Sequence, residues 1–451
     1  MKSFVIETKY PLSFRADDAK RLGEHLRLRH SVEIVGIKRV GISDFLRFFL
    51  NRPGIVAKYI DRKNFHLFVA IDLNDLVELE IYPFWILTLK RINDAVEAYD
   101  VDSKLKKEIS NLFLSSIQSS DLFLTIENTR LALSKIIAAD IFPTIFFIRF
   151  DRIIEEVGRE FFANLESLVD TSNHRLSFVF TSFKKIDEIK GERLPRNFLH
   201  VFSNVLYIKC ADFSDSKIIF DTLKKRYGFG VSGSFEKKVI ELSGGHVQYL
   251  HLLLLILVQR NIRNIDEILN FASVDERINL QSEEIWESLT VEEKNLVMKV
   301  FEGEALKRQD LVKGRYALET GIIKVTDSAR QGGFGLRKKA ESTKKEVYEI
   351  FSPLFAKYVA GQIAKGKNGE EAVDFTKKEN ALFNLLLENV DKVCEREKII
   401  ENVWPEEEEM GVSDWTVDRL VARLREKLKR QESKFQIITV KTRGFKLSTI
   451  T

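Results

Sequence analysis

The sequence predicts an α/β multidomain protein: a doubly wound parallel-sheet domain in front, a helical lid after it, and two winged-helix domains behind. Three observations carry this. Short, nearly continuous apolar runs alternate with helix-period stretches over residues 1–212. The strand-like runs then stop, and helical patterns follow one another over residues 213–285. Two later segments, 286–365 and 372–451, each place helices ahead of a two-stranded arm. The 451 residues suffice for several such domains. With 44% hydrophobic and 31% charged residues, the composition excludes a disordered or fibrous chain. Gly (22) and Pro (7) are sparse, so regular structure, chiefly helix, dominates.

In the front domain, Val32–Val35, His66–Ile71, Thr144–Ile148 and Leu176–Phe180 read as strands, and Asn204–Ile208 as a fifth. Their β-branched and aromatic content suits strands buried on both faces of a parallel sheet. Phe84–Tyr99 and Lys104–Ile117 are helices between them. The lid helices are Phe213–Tyr227, Ser234–Leu242, His246–Gln259 and Ile265–Phe271, broken by Gly228, Gly230 and Gly244–Gly245. A helix starting near Thr290, the short apolar run Gly321–Val325, a polar arm Ala329–Lys345 and the run Tyr348–Phe355 make the first winged-helix pattern. Polar, glycine-containing Gly361–Glu371 is the candidate linker to the last domain.

Charge and cysteine use narrow the function classes. Lys+Arg 71 against Asp+Glu 67 leaves only +4, so any nucleic-acid surface has to come from uneven placement of charge. Cys210 and Cys394 stand far apart with no CxxC, which speaks against a disulfide framework or a zinc module. Met1–Glu7 lacks the apolar stretch of a signal peptide, and the longest apolar run, Tyr249–Val258, is too short to span a bilayer. A cytoplasmic protein with no membrane partner is expected.

The strand Val32–Val35 runs into Gly36-Ile37-Lys38-Arg39-Val40-Gly41-Ile42-Ser43 and then an apolar helix. This is the strand–loop–helix context of a P-loop, whose backbone N–H groups cradle phosphate at a helix N-terminus. The pattern calls for Gly-Lys-Ser/Thr, but isoleucine stands at position 42. Gly36, Lys38, Arg39, Gly41 and Ser43 are the candidate nucleotide-binding residues, with Lys38 and Arg39 the only nearby substitutes for the lost charge. A P-loop enzyme also needs an acid at a strand end to hold Mg²⁺. The matching strand, Ile145–Asp151, has Ile148-Arg149 at that place, and Asp151 lies three residues past it. Asp44 reads as an ordinary helix-N-terminal acid. Thr181-Ser182 ends the next strand, either as a polar phosphate sensor or as a solvated strand end.

On the Gly36–Ser43 loop, the Ile145–Asp151 strand, Ser243-Gly244-Gly245-His246 and Phe351-Ser352-Pro353-Leu354-Phe355, residues 1–365 resemble a STAND-type, AAA-related P-loop ATPase. That resemblance implies a nucleotide switch coupled to an output domain, with His246 approaching nucleotide phosphate. Val247 replaces the proline of the family's Gly-Gly-His-Pro element. Ile42, Ile148 and Arg149 replace the hydrolytic positions, so no catalytic residue is assigned and no ATP or ADP cofactor is required.

The last domain is more specific. Thr376 and Glu379 form a capping-box pattern ahead of a helix Ala381–Leu387, and a second helix, Glu395–Val403, ends at Trp404-Pro405. In the third, Ser413–Arg430, residues Val417, Leu420, Val421, Leu424 and Leu428 share one apolar face. Trp415, Arg419, Ala422, Arg423 and Arg430 project to the opposite side, flanked by Thr416 and Lys427. Gln436–Val440 and Phe445–Leu447 are strands around the basic turn Lys441-Thr442-Arg443-Gly444. Residues 374–409 hold 5 basic and 11 acidic residues, net −6, whereas 410–451 hold 10 and 4, net +6. A basic helix sized for the major groove, with a basic wing, suits duplex DNA.

This segment resembles the OmpR/PhoB-type winged helix along essentially its whole length, through Phe375–Glu379, Val393–Glu397, Val403-Trp404, Thr416–Asp418, Arg423–Leu428 and Thr439–Phe445. The resemblance implies that Ser413–Arg430 enters the major groove and that Lys441 and Arg443 reach phosphates or the minor groove. Trp415 stands where the family usually has Arg. The acidic loop Glu406–Glu409 is either solvated or, as in the family, a surface for transcription machinery. The expected function is a DNA-binding transcriptional regulator whose degenerate front module serves as sensor, homo-oligomerisation platform or scaffold. A working ATP-driven switch and a protein-interaction scaffold are the alternatives.

Overall fold

The computed structural model describes residues 5–60, 65–190, 202–228, 230, 233–260, 262, 264–327, 346–367, 375, 377–405, 414–430, 433–440 and 443–449. The chain divides into two compact units, residues 1–265 with 287–353, and residues 266–286 with 354–451.

The first unit begins with α1 (Ala16–Arg27), β1 (Val32–Val35), α2 (Ile42–Asn51), β2 (Phe65–Asp72), α3 (Ile81–Ala98), α4 (Ser103–Ser119), α5 (Leu122–Ala138), β3 (Ile141–Ile148), α6 (Arg159–Thr171), β4 (Ser177–Ser182), α7 (Ile186–Lys190) and β5 (Val205–Tyr207). The five strands pair in the order β2-β3-β4-β1-β5, every pair parallel. β1 and β4 are buried at every position, which is why they read as largely apolar runs, with Glu33 and Ser177, Thr181 and Ser182 as buried polar members. Phe147 of β3 anchors the core on one face, with ring centroids 5.1 Å from Phe84, 5.7 Å from Phe178 and 5.4 Å from Phe180. The register sets Val35 beside Ser182 and Asp72 beside Ile148, so the loops leaving these strands share one edge. β1 lies where the connections part to either side, the usual place for a ligand crevice.

The unit continues with α8 (Phe213–Tyr227), α9 (Gly233–Ser243) and α10 (Val247–Arg260). Gly245, at φ +81°, makes the turn before α10; a Cβ there would sit 1.9 Å from the Ala211 carbonyl oxygen, so only glycine fits. After α11 (Ile265–Val274) and α12 (Glu276–Glu287), the first winged helix is α13 (Val291–Glu302), α14 (Arg308–Lys313), α15 (Arg315–Glu319), β6 (Ile323–Asp327) and β7 (Glu346–Ile350). Thr290 and Glu293 form a capping box that starts α13. β6 and β7 pair antiparallel, and the expected arm Ala329–Lys345 lies outside the described residues.

The second unit holds α11 and α12 apart from their end residues, then α16 (Pro353–Lys367) from Leu354 onward, α17 (Lys377–Glu388), β8 (Cys394–Glu395), α18 (Arg396–Val403), α19 (Asp414–Arg430), β9 (Phe435–Val440) and β10 (Gly444–Thr449). The first part of the expected linker is instead helix: α16 runs through Gly361 to Lys367, and 368–371 lie outside the described residues. Leu354, Phe355 and Val359 are buried upstream, and that packing carries the helix through a glycine costing about 1 kcal/mol. The capping pattern Thr376/Glu379 includes Thr376, which lies outside the described residues; Glu379 is fully buried. β8 completes a three-stranded antiparallel sheet, β8-β10-β9, that the sequence reading had as a two-stranded hairpin. Leu382, Leu386, Ile399, Trp404, Val417, Leu420, Val421, Leu424 and Leu447 form its core.

Leu424→Ala is expected to destabilise this domain by about 3 kcal/mol, and Leu387→Ala, at an exposed position, by under about 0.5 kcal/mol. Urea dependence of hydrogen exchange over residues 414–430 measures both; equal effects would place the core elsewhere.

Candidate functional site

The loop after β1 has the expected frame. Gly36 follows the strand, and Gly41, at φ +107°, caps α2. Ile37 and Val40 turn inward and are almost fully buried, which pins the loop to the domain core. Lys38 lays its ammonium over the Phe183 ring, 4.6 Å from the centroid, and Arg39 is exposed in the left-handed region. Ile42 opens α2, where the pattern's lysine would be.

His246 reaches this loop, through its backbone. The Tyr249 N–H donates to His246 Nδ1 (3.3 Å), leaving the proton on Nε2, which donates to the Lys38 carbonyl (3.0 Å). The ring is fully buried, and burial pushes its pKa down to about 4. Arg15, which the sequence reading missed, grips the same region from below: Nη1 donates to the Lys209 carbonyl (3.0 Å) and to Asp18 (3.1 Å), and Nη2 to the Val40 carbonyl (3.5 Å). Its position depends on long-range folding and leaves no local motif.

Arg149 changes the chemistry of the site. Its backbone N–H donates to Thr181 Oγ1 (2.8 Å), its Nη1 binds both carboxylate oxygens of Asp72, and its Nη2 donates to Ser43 Oγ (3.3 Å). A guanidinium therefore lies between the P-loop hydroxyl and a strand-end carboxylate, the pair of ligand types that meets Mg²⁺ in a P-loop enzyme. Among the described residues, the place between Ser43 and Asp72 where a metal would sit is taken by the Arg149 guanidinium. Thr181 and Ser182 are buried, so they are not a solvated strand end; Ser182 Oγ donates to the Lys184 carbonyl (2.5 Å) and to Glu33 (3.3 Å). Asp151 stays near the loop, its pKa raised by burial and only partly drawn back by its own backbone N–H and by Lys38. Asp44 pairs with Arg47.

The winged helix of the second unit departs further from the expected surface. On α19, Ala422 is exposed, but Thr416 is packed inside at 3% exposure, beside the apolar face instead of offered to a groove. The Arg423 side chain is only 15% exposed, held by Glu276 (2.8 Å) and Glu283 (3.1 Å) of α12 and by Glu379 of α17 (3.1 Å). Lys427 binds the other oxygen of Glu379 (2.6 Å). Burial lowers the pKa of Arg423, but Glu283, Glu379 and Glu276 together raise it by more; burial also raises the pKa of Glu276, and Arg423 only partly offsets this. Arg419 is half-buried beside this cluster on the same helix flank. The side chains of Trp415 and Arg430, and residues Lys441 and Thr442, lie outside what is described.

Two arginines outside the expected set fix the reader's shape. Arg425 donates to the Ile437 carbonyl (2.8 Å) and Thr439 Oγ1 (2.7 Å), tying α19 to β9. Arg396 pairs with Asp418 (2.5 Å) and covers the Phe445 ring. Arg443 projects from the wing turn, its side chain 63% exposed, 3.6 Å from Glu395.

Residues 369–447 match the family model described as transcriptional regulatory protein, C terminal. That segment is a winged helix of this family. Among curated proteins none matches the chain. Several solved structures are similar over most of the chain. A Walker-type ATPase of Pyrococcus abyssi covers 77% of this chain and 95% of its own, at 12% identity and TM-score 0.44. The ORC2 protein of Aeropyrum pernix, in ADPNP–ADP complexes, covers 81% and 98%, at 11% identity and TM-score 0.45. CDC6P of Pyrobaculum aerophilum covers 80% and 97%, at 14% identity and TM-score 0.35. Among the described residues no helix is long and apolar enough to cross a membrane.

His246 yields a pH prediction. Its folded pKa of about 4 lies below the ordinary 6.5, so the unfolded chain binds the proton first as pH falls. The stability held by the neutral ring is complete above pH 6.5 and is lost progressively down to pH 4. Relative to His246→Gln, the wild-type chain should lose on the order of 2–3 kcal/mol across that window. Denaturant titrations at both ends measure it, and parallel pH profiles would refute it.

Proposed function

We propose that the chain is a DNA-binding transcriptional regulator that reads duplex DNA through its C-terminal winged helix, while the front module works without ATP hydrolysis. The match of residues 369–447 to the transcriptional-regulator family supports the first part, together with a folded helix–helix–helix–wing unit carrying net +6 over residues 410–451 (10 basic, 4 acidic). Phosphate neutralisation by such a half-domain supplies affinity, and α19 has the length to lie in a major groove. Arg443, on the exposed wing, is placed for a phosphate contact.

The position of Arg149 supports the second part. With Asp72 and Ser43 engaged by a guanidinium, and Ile42 in place of the loop lysine, the site lacks both the metal ligands and the charge that meets the γ-phosphate. What remains is a rigid module suited to a sensor or scaffold. Homo-oligomerisation and contact with transcription machinery belong to this proposal without a residue-level site.

Selection from a random duplex pool with the full chain should enrich a defined sequence, and binding should weaken steeply with salt. Arg443→Ala should reduce the salt slope by about 1. No duplex binding at low salt would remove the DNA-reading function. ATP turnover should stay at background and be unchanged by Ser43→Ala; Mg²⁺-dependent turnover abolished by that substitution would restore the working switch.

A further inference from the structure

The feature left unexplained is the placement of carboxylates around Arg423. α12 carries four glutamates and one arginine, net −3, while α19 carries six basic and three acidic residues, net +3. Their meeting point is almost dry: the side chains of Arg423, Glu276 and Glu283 are 15%, 19% and 22% exposed. The ion-paired groups are two cations, Arg423 and Lys427, and three carboxylates, Glu276, Glu283 and Glu379, a paired charge of −1, with Lys378 also acting on Glu276 and Arg419 alongside.

The three carboxylates are not equivalent. Glu379 lies on α17 within the winged helix and stays with Arg423 and Lys427 whenever that domain is folded. Glu276 and Glu283 arrive on α12, which sits between the lid and the first winged helix in sequence. The domain's own hydrophobic core is drawn from residues 375–447, with no α12 residue among those described in it. Remove α12 and the paired charge turns from −1 to +1, with Arg423 freed on its outer side. The strip of α19 that remains exposed with α12 in place includes Asp414, Asp418, Ala422, Glu426 and Lys429, three acids against one base.

We infer that α12 is a built-in competitor of DNA: Glu276 and Glu283 occupy the Arg423 flank of the reading helix, and duplex binding requires α12 to leave it. The inference rests on the DNA-reading function proposed above. Arg423 cannot serve both partners, because its guanidinium is already shared among three carboxylates at 2.8–3.1 Å. The helix thus mimics the charge of a phosphate backbone, and DNA and α12 bind in a mutually exclusive way.

The test measures duplex affinity of the full chain by fluorescence anisotropy at about 50 mM salt, where non-specific contacts are strong. Glu276→Gln/Glu283→Gln should bind duplex at least about tenfold more tightly than wild type. Glu388→Gln/Glu397→Gln, exposed acids of the winged helix with the same charge change, should gain no more than about twofold. Adding Arg423→Ala to the first variant should erase its gain. Hydrogen exchange supplies a reading without substitution: amides of residues 276–287 in the wild-type chain should exchange faster once duplex saturates it. Equal affinity of wild type and Glu276→Gln/Glu283→Gln, an equal gain in the control, or unchanged exchange over α12 at saturation each overturns the competition and leaves DNA reading intact. No binding by any variant overturns both.

Discussion

A charge withdrawn from water must find an opposite charge, and Arg423 is governed by that rule. Arg423 stands among Glu276, Glu283 and Glu379, the last fully buried. Taking away one member of such a cluster leaves an uncompensated buried charge, at about 3–5 kcal/mol. The winged helix cannot fold with Glu379 inside and leave Arg423 and Lys427 elsewhere. Their geometry is therefore set before any DNA arrives, and only the outer side of Arg423 is open to exchange between α12 and a phosphate. Arg425 and Arg396 spend their donors on β9 and on Asp418, so the basic count of the last domain overstates the charge it can offer.

The front module pairs an arginine with a carboxylate in a more solvated place: Asp72 ends β2 at the edge where the phosphate loop opens, its side chain 35% exposed. Arg149 binds it and takes in Ser43 as well. Ile42, Ile148 and Arg149 are thus one consistent set: without a lysine to meet phosphate and an acid to hold metal, an internal guanidinium closes the gap. His246 completes the closure by spending its one N–H on the Lys38 carbonyl.

Much of this was legible in the sequence, for definite reasons. The strands of the parallel sheet announce themselves because burial on both faces makes them largely apolar runs; Val32–Val35 is found at the bounds read from sequence alone. The amphipathic pattern of α19 locates its core face, and Val417, Leu420, Val421, Leu424 and Leu428 are all buried. Periodicity fails on the other faces. It cannot tell a solvated flank from one covered by a helix distant in sequence, so Arg423, Lys427 and Thr416 looked free. The spacing of Glu379 from Thr376 is local and legible, whereas its ion pair with Lys427 reaches about four dozen residues further on and is not. β8 escaped because a two-residue strand has no period, and α16 because glycine content hides a helix held by upstream packing.

A module that acts by binding alone biases its output through the difference in its affinity for two states. Whatever ligand, partner or second copy the front module meets, it shifts the chain between closed and open winged helix by the difference in its affinity for the two, commonly about 1–3 kcal/mol. In sequence, three residues, Ser288–Thr290, separate the end of α12 from α13 of the first winged helix. The competition at Arg423 is of suitable size. Two removable glutamates against one shared guanidinium make a restraint strong enough to hide a reading surface and weak enough for DNA, once steered to the remaining positive charge, to displace.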